Sequence, residues 1–197
     1  HADIFDNVEA IERQFHHLVR TVPSKGAIIR PAVDEHLDSA LAMGCWSPVQ
    51  TTAIGSEAGA PNWRAELLAD DGSSFMLIHH EQPVATVNWN MTGLHNVRNA
   101  LSAIAAARHV GVTPDHAVSA LTRFGGVKRR MELLADIDGV RVYDDFAHHP
   151  TAIATTLEGL RNRVGDELII ALVEPRSNTM QQGVHRERLL GSADLAD

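Results

Sequence analysis

The hydrophobic period of this chain changes twice, and that change restricts its fold more than any other feature. Over residues 6–22, Val8, Ile11, Phe15, Leu18 and Val19 recur at helical spacing. They predict an amphipathic helix that Pro23-Ser24-Lys25-Gly26 ends. Ala27-Ile28-Ile29 predicts a short strand, and Asp34 to Met43 a helix with Gly44 as its C-cap glycine. From Val49 to about Met91 the pattern becomes that of strands: Gln50–Ile54, Trp63–Ala69, Ser74–His79 and Val84–Trp89. Turns are expected between them at Asp70-Asp71-Gly72 and Glu81-Gln82-Pro83. Helical spacing then returns from about His95 to His109, with Val97, Leu101, Ile104 and Ala105 as the apolar stripe. Thr113-Pro114 opens another helix, running to about Arg123.

Phe124-Gly125-Gly126 breaks the chain, and a domain boundary is placed there, giving residues 1–123 and 124–197. Beyond it, Glu132–Ile137 and Val140–Asp144 flank Asp138-Gly139, a hairpin signal. Pro150 opens a helix to about Arg163. Glu167–Val173 is nearly all apolar, as in strands buried on both faces of a parallel sheet. A last helix starts near Val184. The order β-β-α-β-α predicts an α/β domain.

Composition narrows the function. Hydrophobic residues make up 44%, charged residues 21% and aromatics 5%, a balance that suits helices packed on sheets. The net charge is −8 with no Lys/Arg run, so the electrostatic footprint of a nucleic-acid binder is missing. No apolar stretch is long enough to span a membrane, and no signal peptide precedes the first element. The single cysteine, Cys45, fits a reducing compartment. Both ends read as interior sequence, so the expectation is an internal segment of a longer cytoplasmic protein.

Five constellations could carry chemistry. In Gly93-Leu94-His95-Asn96-Val97-Arg98-Asn99, His95 and Asn99 share a helix face with Asn96 nearby, all off the apolar stripe. Two carboxamides at i and i+3 suit a purine edge; a solvated polar face is the other reading. Val127-Lys128-Arg129-Arg130 follows the glycine pair, and its guanidinium forks suit phosphate oxygens or a solvated basic turn. Tyr143-Asp144-Asp145-Phe146-Ala147-His148-His149-Pro150 spans a strand's carboxyl end and a helix start, where open α/β sheets bind ligands. Helix capping is the alternative there. Glu174-Pro175-Arg176-Ser177-Asn178-Thr179 would share that edge if the crossover is right-handed. His1, with Asp3 and Asp6, could ligate a metal or simply be solvated.

Taken in order, G-x-H-N-x-x-N-A, F-x-G-x-x-R-R and D-D-F-A-H-H-P-T resemble the signature series of the Mur ligases, over nearly the whole chain. The resemblance implies the later half of a central ATPase domain followed by the start of a Rossmann-like carboxy-terminal domain. It implies an ATP-dependent ligase of peptidoglycan construction, with ATP and Mg2+ as cofactors. His1 falls where the family binds magnesium, and Asn96 and Asn99 where it contacts adenine, beside His95. Arg130 or its neighbour Arg129 falls where an arginine reaches the phosphates. Asp145 falls near the ribose or the reaction centre. Phe146, His148, Arg176, Ser177 and Asn178 fall where the incoming amine would sit.

Within the family, His1-Ala2-Asp3-Ile4-Phe5-Asp6 and Glu174-Pro175-Arg176-Ser177-Asn178-Thr179-Met180 resemble the branch that joins L-alanyl-γ-D-glutamyl-meso-diaminopimelate to UDP-N-acetylmuramate. The alanine-adding branch, the main competitor, would show a Gln-Pro-His-Arg type of loop. The family's phosphate loop is not in this chain, so the piece alone should not catalyse the reaction. Two other classes stay open: a two-metal hydrolase built on Asp144, Asp145, His148 and His149, and a non-catalytic nucleotide-binding module.

Overall fold

The structure is a computed structural model, and it describes residues 4–57, 60–174 and 186–197. Helix α1 (Val8–Val19) starts where Asn7 accepts a bond from Ala10 N, and α2 (Glu35–Ala42) where Asp34 accepts from Leu37 N. Both caps satisfy amides that the helix itself cannot. Gly44 follows α2 with φ 137°, a conformation that favours glycine.

Strands β1 (Ile28–Pro31), β2 (Val49–Ile54), β3 (Trp63–Leu67), β4 (Ser74–His79) and β5 (Gln82–Asn88) form one sheet in that order. The first three run parallel, and β3–β4–β5 are antiparallel. Helix α3 (Leu94–His109) lays Val97, Ala100, Leu101, Ile104 and Ala105 on this sheet, against Trp63, Ala65, Phe75, Leu77 and Val87. Helix α4 (Pro114–Thr122) closes the core with Val118.

One expected turn moves. The reversal between β4 and β5 lies at His80 and Glu81, both left-handed (φ 46° and 61°), not at Glu81-Gln82-Pro83. Pro83 sits inside β5, opposite Ile78, where the register shifts. A bulge tolerates a residue that cannot donate to the ladder.

After the glycine pair, β6 (Glu132–Ile137) and β7 (Val140–Asp144) form the expected antiparallel hairpin. Asp138 and Gly139 take φ 51° and 84°, as the tight turn requires. Helix α5 (Pro150–Val164) follows, and a short helix, α6 (Arg186–Gly191), closes the described chain. Ile153 and Leu157 of α5 pack with Ile169, and Leu189 of α6 joins them.

The expected strand Glu167–Val173 does not form. Leu168 and Ile170 are each 73% exposed and Leu172 95%, while Ile169 is buried. Ile169 and Ala171 pack with residues of α5 and α6, but no described strand lies beside the segment to supply a ladder. Strand formation is a property of the pair, and an apolar run alone cannot provide it. The architecture is therefore α/β, with a parallel-rich mixed sheet followed by a smaller hairpin-and-helix unit.

Candidate functional site

The amino end of α3 is built around Gly93. Its φ of 90° and the His95 ring folded back over it leave no room for a side chain: an added Cβ would lie 2.6 Å from His95 Cε1. Gly93 N donates to Asp71 O at 2.7 Å, which ties the helix start to the β3–β4 turn. Gly72 of that turn sits under Val97, and its carbonyl accepts from Trp89 Nε1 at 2.9 Å. Asn96 is half-buried, and its Nδ2 donates to Thr92 O at 2.7 Å. Asn99 is exposed one turn further on and does not line the cleft described below. His95 Nδ1 is buried without a hydrogen-bond partner among the described residues. Burial lowers the His95 pKa, opposed by the charges of Asp145 and Glu158 and reinforced by Arg130.

Residues 129–131 bring the second unit to this helix. Arg129 and Met131 are left-handed, with φ 59° and 50°, so the chain kinks on both sides of Arg130. Four contacts hold the kink. Phe146 N donates to Arg129 O at 2.8 Å. Arg129 N donates to Glu132 Oε2 at 2.9 Å. Met131 N donates to Asp145 Oδ2 at 2.9 Å, and Ala147 N to Asp145 Oδ1 at 2.7 Å.

The two arginines are thereby distinguished. Arg129 Nε pairs with Asp144 Oδ2 at 3.2 Å, and its guanidinium lies 4.9 Å from the Phe146 ring centroid. Arg130 makes no ion pair among the described residues and faces Asn96 across a narrow pocket. That pocket, of about 40 Å³, also meets Thr92, Met131, Tyr143, Leu160 and Arg163. It adjoins a cleft of about 630 Å³ walled by Gly125, Gly126, Lys128, Arg130, Arg141, Tyr143 and Arg163, among others. This is the size of a small-molecule site. Four cations and one acid, Glu132, line it in a chain of net charge −8. It suits an anion.

The acid and histidine motif does not form a metal cluster. Asp144 is paired with Arg129 and Asp145 with two amides. His148 Nδ1 lies 2.8 Å from Phe146 O, with its ring edge-to-face on Phe146. His149 Nδ1 caps α5 by accepting from Thr151 N. Among the described residues no group of three or more His, Cys, Asp or Glu is arranged to hold a metal ion. His1, Arg176, Ser177 and Asn178 lie outside the described residues. Tyr143, Arg141 and Arg163 line the cleft although the sequence marked none of them as a ligand contact. Tyr143 lies within the acid and histidine motif, whereas Arg163 reads locally only as a basic residue in the last turn of a helix.

Comparison with known proteins decides the family. The Mur ligase middle domain matches residues 1–107, and the glutamate ligase domain of the Mur ligases matches residues 129–195. The chain belongs to the Mur ligase family. Among Mur ligases, it is 48% identical over 198 residues to the UDP-N-acetylmuramate–L-alanyl-γ-D-glutamyl-meso-2,6-diaminoheptandioate ligase of Haemophilus influenzae, covering 100% of this chain and 43% of that protein. The Escherichia coli (strain K12) enzyme of the same name is 49% identical over 198 residues, covering 100% and 42%. The crystal structure of a murein peptide ligase from Psychrobacter arcticus 273-4 matches with a TM-score of 0.69 and 49% identity, over 98% of this chain and 40% of that one. The chain thus spans about two-fifths of the length of the relatives it matches. No helix of the described residues is long and apolar enough to cross a membrane.

Proposed function

We propose that this chain is the nucleotide-cleft portion of a bacterial, cytoplasmic ligase that joins L-alanyl-γ-D-glutamyl-meso-diaminopimelate to UDP-N-acetylmuramate. The observation that carries the reading is the meeting of Asn96 and Arg130. They come from units 34 positions apart in sequence, and they line one pocket that adjoins an electropositive cleft. The relatives that match the whole chain at 48% and 49% identity supply the substrate assignment.

In this reading residues 1–123 and 124–197 are the two domains, and ATP lies between them. Asn96 reads the adenine, with His95 beside it and Asn99 further along the same helix at the exposed margin. Arg130, free of an ion pair among the described residues, offsets charge on the phosphates, with Arg129 behind it. Asp145 acts through its two amide bonds: it sets the kink that aims Arg130. Magnesium, held by His1, would neutralise the phosphate oxygens when bound.

The muramic acid carboxylate attacks the γ-phosphorus, and ADP leaves. The peptide amine then attacks the acyl carbon, and inorganic phosphate leaves with the bonding pair. His148, with Phe146 beside it, takes the amine proton, and Arg176, Ser177 and Asn178 are the further residues proposed to bind the amine substrate. Closure of the domains about Gly125-Gly126 keeps water from the acyl phosphate.

The test is phosphate release by the full-length parent with ATP and UDP-N-acetylmuramate. The tripeptide should support release and L-alanine should not. Release with L-alanine instead would assign the protein to the alanine-adding branch. Release with neither amine would end the ligase reading.

A further inference from the structure

One face of α5 reaches the middle sheet at the point where the asparagine helix begins. Gly159, Asn162 and Arg163 fall at i, i+3 and i+4, so they share that face. Gly159 lies against the backbone of Gly93: an added Cβ would stand 2.8 Å from Gly93 Cα and 2.9 Å from Gly93 N. Asn162 Nδ2 donates to Asp70 O at 3.4 Å. Arg163 Nη1 donates to Asn90 O at 3.2 Å, and its Nε lies 3.9 Å from Asp71 Oδ2.

These four partners belong to one local assembly. Asp70 and Asp71 form the β3–β4 turn, and Asn90 and Gly93 lie on the connection from β5 to α3. Asp71 joins the two, since its carbonyl accepts from Gly93 N at 2.7 Å while its carboxylate accepts from Ser73. Asp71 is a buried charged residue, and Arg163 is the cation directed at it. A glycine inside a helix weakens the helix, so Gly159 needs a packing reason. The reason here is a backbone-to-backbone approach that a methyl group would prevent.

We propose that the Gly159–Arg163 face of α5 is a docking face that positions Arg130 against Asn96, with Arg163 and Gly159 as positioning residues. Arg163 bridges two points of the middle unit, the Asn90 carbonyl and the Asp71 carboxylate. Gly159 sets the distance between the units. Arg130 and Arg163 line the same pocket, so a shift of α5 changes the cleft that Arg130 enters. The consequence for nucleotide binding rests on the reading above; the docking itself does not.

The experiment uses the 197-residue chain with Cys45→Ser, Asp115→Cys and Glu187→Cys, spin-labelled at the two exposed positions, one on α4 and one on α6. Pulsed dipolar distances should give one narrow population in the parent. Gly159→Ala should broaden and lengthen it while leaving helical content equal or higher, because alanine favours the helix. Arg163→Ala should broaden it too, and Arg163→Lys should fall between, keeping the charge but not the fork. If the docked fraction drops to about one-tenth, ATP affinity weakens about tenfold in proportion. Unchanged distances in Gly159→Ala and Arg163→Ala would overturn the proposal, as would a broad distribution in the parent. Broadened distances with unchanged ATP affinity would leave the docking face standing and sink the nucleotide reading of the cleft.

Discussion

The two units of this chain are stabilised very differently. In the middle unit Trp63, Phe75, Leu77, Val87, Val97, Leu101 and Ile104 are fully buried between α3 and the sheet. Among the described residues of the second unit the buried apolar cluster is Ile153, Leu157 and Ile169, while Val140, Val142, Leu168, Ile170 and Leu172 face solvent. The carboxamide of Asn96 therefore stands on a helix whose opposite face is locked into a packed core. Arg130 stands on a kink held by four polar contacts and two left-handed residues. One side of the cleft thus rests on a packed apolar core and the other on polar contacts.

The largest expected effect tests the packing half of the contrast. Leu101→Ala should cost about 2–5 kcal/mol in denaturant unfolding, the usual loss for a fully buried leucine. Leu172→Ala should stay within about 0.5 kcal/mol, because that side chain is 95% exposed. Equal costs would erase the distinction between the units.

The next effect sharpens it at the cleft. Arg130→Ala should weaken ATP binding by roughly ten- to a hundredfold, as expected for about 1.5–3 kcal/mol from hydrogen bonds to a charged group. Arg129→Ala should cost less, since its guanidinium is already paired with Asp144. Calorimetric titration of both variants would show the order, and a reversed order would move the phosphate contact to Arg129. A smaller difference is expected in hydrogen exchange. The amides of β6 and β7 should exchange faster than those of β3, β4 and β5, because fewer buried groups hold the hairpin.

The smallest effect concerns pH. The bond to Glu12 raises the His36 pKa above its usual 6.5, so the folded state holds that proton more tightly than the unfolded state. Its contribution to stability is fully present below pH 6.5 and is lost as pH rises through the raised value. Glu12→Gln should bring the His36 midpoint in an NMR titration back towards 6.5 and reduce stability only on the acid side. His95 works in the opposite direction. Burial depresses its pKa, so its proton binds the unfolded chain better and its effect is a loss of stability as pH falls below 6.5.

What the sequence revealed follows the range of the interactions. The Asp138-Gly139 hairpin, the Thr113-Pro114 helix start and the apolar stripe of α3 are decided within a few residues, and each stands where the pattern placed it. Glu167–Val173 misled because its apolar run reports burial on both faces, whereas a strand also needs a neighbour. The site divides in the same way. Asn96 and Asn99 are three positions apart on one turn, and periodicity could not separate them. Only the packing of residues 129–131 and α5 shows which one enters the pocket. Arg129 and Arg130 are adjacent, and the left-handed backbone at Arg129 decides which one is spent on Asp144. Arg163 reads in sequence as a basic residue in a helix's last turn, a common pairing with the helix dipole. Its reach to Asn90 and Asp71 is wholly tertiary.

The most direct test of the account is an ATP titration of the full-length parent followed by amide NMR. The amide signals of Thr92 and Asn96 in the first unit should shift together with that of Arg130 in the second, all with one dissociation constant. Shifts confined to a single unit, or absent from both, would contradict a nucleotide held between Asn96 and Arg130.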